Sequence, residues 1–183
     1  MKKFELTSET KINIFGKKLF RIKALVSFGV VKTGETGGWV EKEENVNQSG
    51  DARVFGNARV FGNAEVSDNA WVSGDAEVFG NARVSGDAEV SDNAWVSGDA
   101  EVFGNAEVSG NADYTTIHGF GTQFRTTTFF RCKDKQVKVS CGCFYGTIPE
   151  FREQVKNTRD GKIAEEYLMI ADLMEKHFAE EAK

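Results

Sequence analysis

From Gly50 to Thr115, apolar and polar positions recur with a period of six: GDARVF, GNARVF, GNAEVS, DNAWVS, and on through eleven consecutive hexapeptides to GNADYT. Each unit sets Ala and Val two residues apart with a variable residue between them. Ala and Val therefore point to one side of a short strand and the variable residue to the other. A strand this short cannot bury its own apolar side, so such repeats make a core only by stacking on one another. Gly or Asp followed by Asn or Asp recurs at every sixth step, and these residues tolerate φ > 0 at a turn. The pattern predicts a coiled prism of short strands and corners over residues 50–121.

Val, two residues, then Gly/Asn/Asp and Ala resembles the hexapeptide repeat of left-handed parallel β-helices. The resemblance implies a mainly β fold in which three hexapeptides make a triangular coil of 18 residues, so eleven units give a little under four coils. The left hand comes from the resemblance alone, since most parallel crossovers are right-handed. Stacked at that return, the variable residues form columns: Arg53, Trp71, Glu89, Glu107; Arg59, Glu77, Trp95, Asp113; and Glu65, Arg83, Glu101. Arg59 over Glu77 and Arg83 between two glutamates place opposite charges on adjacent coils, which favours the register.

Residues 1–49 lack the repeat and are expected to cap the open end of the prism, since a bare solenoid end would expose unpaired core. Lys11–Phe15, Lys18–Ile22 and Val30–Val31 read as short strands around a turn at Phe15–Lys18. Lys42 and Gln48 occupy the positions of the repeat's Val, so regular coiling is expected to begin near Gly50. The run from GKKLFRIKAL to GGWVEKEENVNQSGDA resembles the opening of hexapeptide-repeat proteins encoded in bacteriophages and prophages, most of them of unassigned function.

Residues 122–183 change pattern. Thr126–Lys133 and Gln136–Phe144 read as a hairpin around Asp134-Lys135. Thr147-Ile-Pro-Glu150 is a capping box with proline in the first turn, predicting a helix to about Asn157. Asp160-Gly161 is a turn. Ile163, Tyr167, Ile170, Met174 and Phe178, widened by Leu168, Ala171 and Leu173, form the apolar stripe of a last helix from about Lys162 to Ala182. This ββαα unit also resembles the tail of the phage-type proteins.

Composition narrows the function. A net charge of −5 argues against a general nucleic-acid binder. No run approaches the apolar length of a membrane span, MKKFELTSETK has no apolar signal region, and three cysteines make no disulfide framework. The expectation is a soluble cytoplasmic protein, in the bacterial host if phage-encoded.

Many hexapeptide β-helices resembling this one are acyltransferases that bind acyl-CoA between coils of a trimer and use a His base, and others are γ-class carbonic anhydrases with three zinc-bound His. The chain has two histidines, His118 and His177, neither in the repeats, so three His ligands are impossible. Without coil insertions or repeat histidines, the acyltransferase is the alternative reading, with His118 its weak general-base candidate. Cys141-Gly-Cys143 and Cys132 match no common zinc spacing, and no metal or cofactor is expected.

One feature departs from the acidic background. Residues 122–162 hold nine basic side chains against four acidic ones. Gly119-Phe-Gly121 leads into Arg125-Thr126-Thr127-Thr128, with Arg131 and Lys133 beyond. Guanidinium, ammonium and hydroxyl groups in such a run donate to phosphate or carboxylate, and Phe124 supplies a surface for stacking. The expected ligand-binding residues are His118, Phe124, Arg125, Thr126, Thr127, Thr128, Arg131 and Lys133. Phe61 and Phe79, 18 apart, with Trp95 in the neighbouring outward column, make one prism face apolar, as an interaction face would be. The resemblance points to a homotrimer. The sequence thus favours a non-catalytic phage-type binding protein that captures a small anion such as a nucleotide, sequestering a host defence signal. A structural or assembly module is the third reading.

Overall fold

A computed structural model describes residues 2–179 of the chain. The chain divides into two compact units, Met1–Asn111 and Ala112–Lys183.

The first unit is a parallel β-solenoid preceded by an antiparallel meander of β1 (Phe4–Ile12), β2 (Lys18–Ala24) and β3 (Thr36–Val40). Ten two-residue strands follow, one every six residues, from β4 (Arg53–Val54) to β13 (Glu107–Val108). They stack at a return of 18 in the predicted columns: Arg53 on Trp71 on Glu89 on Glu107, Arg59 on Glu77 on Trp95, and Glu65 on Arg83 on Glu101. Every repeat Ala and Val from Ala52 to Val108 is at most 1% exposed. Amides of one coil donate to carbonyls of the next, as in Arg59 N to Ala76 O at 2.9 Å. Corner amides form ladders outside the core: Asn63 donates to Asn81 and Asn81 to Asp99. At two corners Asp replaces Gly in the left-handed region, and Asp68 offsets the strain by accepting from the Gly86 amide at 3.1 Å.

Coiling starts earlier than the sequence suggests. Trp39-Val40 pairs in parallel with Arg59-Val60, and Val46 bridges Val66, both at an offset of 20 rather than 18. The step from Val46 to Val54 is eight residues instead of six, which throws a count by sixes out of phase and places Lys42 and Gln48 where Val is sought. The eleventh hexapeptide makes no coil strand. Asn111 instead turns its side chain back to accept from the Trp95 amide at 2.8 Å, and Asp113 belongs to the second unit, where it pairs with Arg131.

Carbonyls at the open start of the solenoid are met by residues 1–49. Trp39 N, Glu41 N and Asn47 N donate to Ala58 O, Val60 O and Val66 O, while the Asn45 amide reaches Ala64 O at 2.8 Å and Gly62 O at 3.2 Å. Arg21 Nη1 donates to Gly56 O at 3.0 Å, and the buried Lys3 ammonium donates to Ala52 O at 2.9 Å. Strand β1 stops at Ile12, before the expected Lys11–Phe15 strand is complete, because Asn13 Oδ1 accepts from Phe15 N and Lys17 N and closes a turn. Val30–Val31 yields only a bridge from Val31 to Phe28. The turn carries Phe15 onto the apolar prism face, 5.7 Å from the Phe61 ring and 5.4 Å from Phe79. Phe61 packs with Leu19 and Trp39 and is buried, so the chain's own N-terminal residues cover the lower part of that face; Trp95 remains 39% exposed.

The second unit is a four-stranded antiparallel sheet with two helices. Its strands are β14 (Tyr114–Phe120), β15 (Arg125–Arg131), β16 (Val137–Cys141) and β17 (Phe144–Thr147), hydrogen-bonded in that order. Sequence reading finds only the central hairpin. Tyr114–Thr115 is taken for a last repeat, and Gly142, at φ +62°, makes a tight turn that detaches Phe144 from the preceding strand. Helix α1 (Ile148–Thr158) begins in the expected capping box, with Thr147 N donating to Glu150 Oε2 at 2.7 Å. Helix α2 (Gly161–Phe178) buries Tyr167, Ile170, Ala171, Met174 and Phe178 against Phe129, Val139, Ile148, Phe151 and Val155. Leu173, read as part of the stripe, is exposed. The expected continuation to Ala182 lies outside the described residues. Arg152 joins the helices through Asp172 and Glu175.

Candidate functional site

The clearest concavity with chemistry is in the second unit: a cavity of about 240 Å³ bounded by the β16–β17 turn, the end of α1 and the middle of α2. Its floor is aromatic because the faces of β17, α1 and α2 meet there. Phe144 and Phe151 are 5.4 Å apart, and Phe151 and Tyr167 meet edge to face at 5.7 Å. Arg125 opens β15 and Arg159 caps the end of α1, both exposed and both lining the cavity. Neither makes an ion pair among the described residues. Arg159 partly offsets the negative end of the α1 dipole, donating to Thr158 O at 2.9 Å. Arg125 is the surplus charge.

Glycine at 142 lets the Arg125 guanidinium lie against the turn, since a Cβ there would fall 2.6 Å from Arg125 Nη1. The guanidinium thereby sits over the turn residue between Cys141 and Cys143, both of which line the cavity. The Thr127 hydroxyl donates to Cys141 Sγ at 3.1 Å. Tyr167 donates to Phe120 O at 3.3 Å, and burial together with the neighbouring Cys141 sulfur pushes its phenol pKa up. Cys132 is different: it is buried, and desolvation aided by Asp134 pushes its thiol up to about 11.

The expected binding residues do not converge. Arg125 reaches the cavity, but Thr127 is buried against Cys141, and Thr128 is buried as well. Arg131 donates to Phe178 O at 2.9 Å and pairs with Asp113 at 3.4 Å, so it ties the sheet to α2. Along an extended strand the six-residue step from Arg125 to Arg131 spans roughly 20 Å. Phe124 is exposed at φ +49°, and Lys133 is exposed beyond the strand. His118 is exposed on β14, its Nδ1 3.2 Å from Thr126 Oγ1. Sequence reading missed Arg159, Gln154, Thr158 and Tyr167. Gln154 and Thr158 stand one turn apart on α1 and Tyr167 belongs to the α2 stripe, but their meeting with Gly142 is not visible in the sequence.

Ten strands at a six-residue step, closing every third, settle the class of the first unit. It is a β-solenoid repeat. Residues 52–66 match the family model described as the YdcK beta solenoid repeat. The similarity covers β4 to Val66, the most regular start of the array, and says nothing of the second unit. No curated protein matches the chain. No described helix is long and apolar enough to cross a membrane, and the described residues hold no cluster of three or more potential metal-binding side chains.

Proposed function

We propose that this β-solenoid protein is a non-catalytic binding protein whose second unit captures a small anion bearing a planar apolar group. The observation that supports this is the pairing of Arg125 and Arg159, without carboxylate partners among the described residues, at an aromatic-floored cavity. Two guanidiniums provide charge-assisted, directional donors to phosphate or carboxylate. Phe144, Phe151 and Tyr167 supply the apolar surface that a nucleobase or similar ring would cover. A cavity of about 240 Å³ suits a mononucleotide-sized fragment better than a large cofactor.

In this reading the coils are of the left-handed, phage-type hexapeptide kind and the chains associate as a homotrimer, with the exposed Trp95 ring available to a neighbouring copy. The test is a calorimetric titration with a panel of mono- and cyclic nucleotides, beside mass photometry for the oligomer. Binding that falls about tenfold on Arg125→Ala or Arg159→Ala supports the reading. A panel with no binder, in a protein shown to be folded, overturns it.

A further inference from the structure

The same cavity contains two thiols that anion capture alone does not use. We propose that Cys141 is a thiol–disulfide exchange site, and that the reactant it takes is a low-molecular-weight anionic disulfide. This rests on the reading of the cavity as an anion site and adds a covalent step to it.

The three cysteines occupy three different environments. Cys132 is sealed in the sheet, where burial holds its thiol protonated. Cys143 is exposed at the rim on the two-residue turn. Cys141 is half-buried on the cavity wall, where its sulfur accepts from Thr127 and neighbours the Tyr167 phenol. The Arg125 guanidinium lies over Gly142, directly beside it in the chain, and Arg159 lines the same cavity. Cations at a concave, partly apolar site concentrate anionic reactants and repel cationic ones. Exchange proceeds by thiolate attack, at a rate set by access as well as by thiolate fraction.

The step balances without a further reactant. Cys141 gives its thiol proton to solvent, and the sulfur attacks one sulfur of the disulfide. The Cys141–sulfur bond forms as the disulfide bond breaks, and the departing thiolate takes a proton from water. Cys141 is oxidised to a mixed disulfide, and the released half is reduced to a thiol.

The experiment uses full-length Cys143→Ser protein, in which Cys141 is the one unsealed thiol. Mixed-disulfide formation is followed by intact mass with dianionic 5,5′-dithiobis(2-nitrobenzoate) and with dicationic cystamine, each rate divided by that reagent's rate with a free small thiol. The expected result is a normalised preference of about tenfold for the anionic reagent, narrowing with added salt and lost in the further variant Arg125→Gln/Arg159→Gln. Peptide mapping should place the adduct on Cys141. Equal normalised rates, a preference indifferent to salt, or no adduct on Cys141 would each overturn the proposal. Nucleotide binding by the native protein is measured in parallel, so failure of the exchange chemistry is distinguishable from failure of anion capture.

Discussion

The Lys3 ammonium donates to the Ala52 carbonyl at 2.9 Å, capping a carbonyl that has no coil beneath it. It also lies over the Phe28 ring and reaches the carbonyls of Ser49 and Gly50. Solenoid ends are where stacked repeats run out of partners, and one long side chain here satisfies part of that edge.

Burial lowers the Lys3 pKa from 10.5 to about 8. The folded chain therefore releases this proton while the unfolded chain still holds it. Between pH 8 and 10.5 the unfolded state binds more protons, so this group's contribution to stability rises with pH in that window. The melting temperature of the native chain relative to Lys3→Met should accordingly increase from pH 8 to pH 10. A difference that stays flat or falls would contradict the burial of this amine.

Arg59 on one coil pairs with Glu77 on the next, and Glu77 is 2% exposed with Oε2 lacking a partner. Removing one member leaves a charge poorly solvated. Glu77→Ala should cost about 2–3 kcal/mol, and the double change Arg59→Met/Glu77→Leu should recover most of it. Chemical denaturation of the three proteins measures the cycle.

Gly80 and Gly98 are stacked corners, both at positive φ (+74° and +67°). A Cβ at Gly80 would come within 3.0 Å of the Gly98 amide nitrogen, whereas at Gly98 it would meet nothing within 4 Å. Gly98→Ala should cost about 1–2 kcal/mol from backbone strain alone, and Gly80→Ala measurably more. Equal losses would show that the coils part at this corner without resistance.

Gly142→Ala should displace the Arg125 guanidinium and strain the β16–β17 turn. Gly142→Asn strains the backbone less, because Asn tolerates left-handed φ, but still crowds Arg125. Both should weaken anion binding in a titration, while the loss of melting temperature is larger for Ala.

The chain's own sequence determined the solenoid. Ala and Val at fixed places in a six-residue period put both on one buried side, and the charge columns favour the 18-residue return that the resemblance implies and the strand pairing shows. The capping box at Thr147 and the Tyr167–Phe178 stripe were legible for the same reason: local spacing states which face is buried. What the period could not carry was anything out of phase. The eight-residue step after Val46 hid a coil, and Asn13 shortened a strand by hydrogen-bonding its own turn.

The site belonged to tertiary structure. Arg125, Thr127 and Arg131 share one face of β15, but their places along the strand and the packing against it send one to the cavity, one to the Cys141 sulfur and one to the end of α2. Arg159, 34 residues from Arg125, comes to the same cavity because α1 folds back over the sheet. A run of like residue types records composition along a line. Only the closing of sheet and helices decided which of them meet around one volume, because that depends on which faces the apolar residues must share.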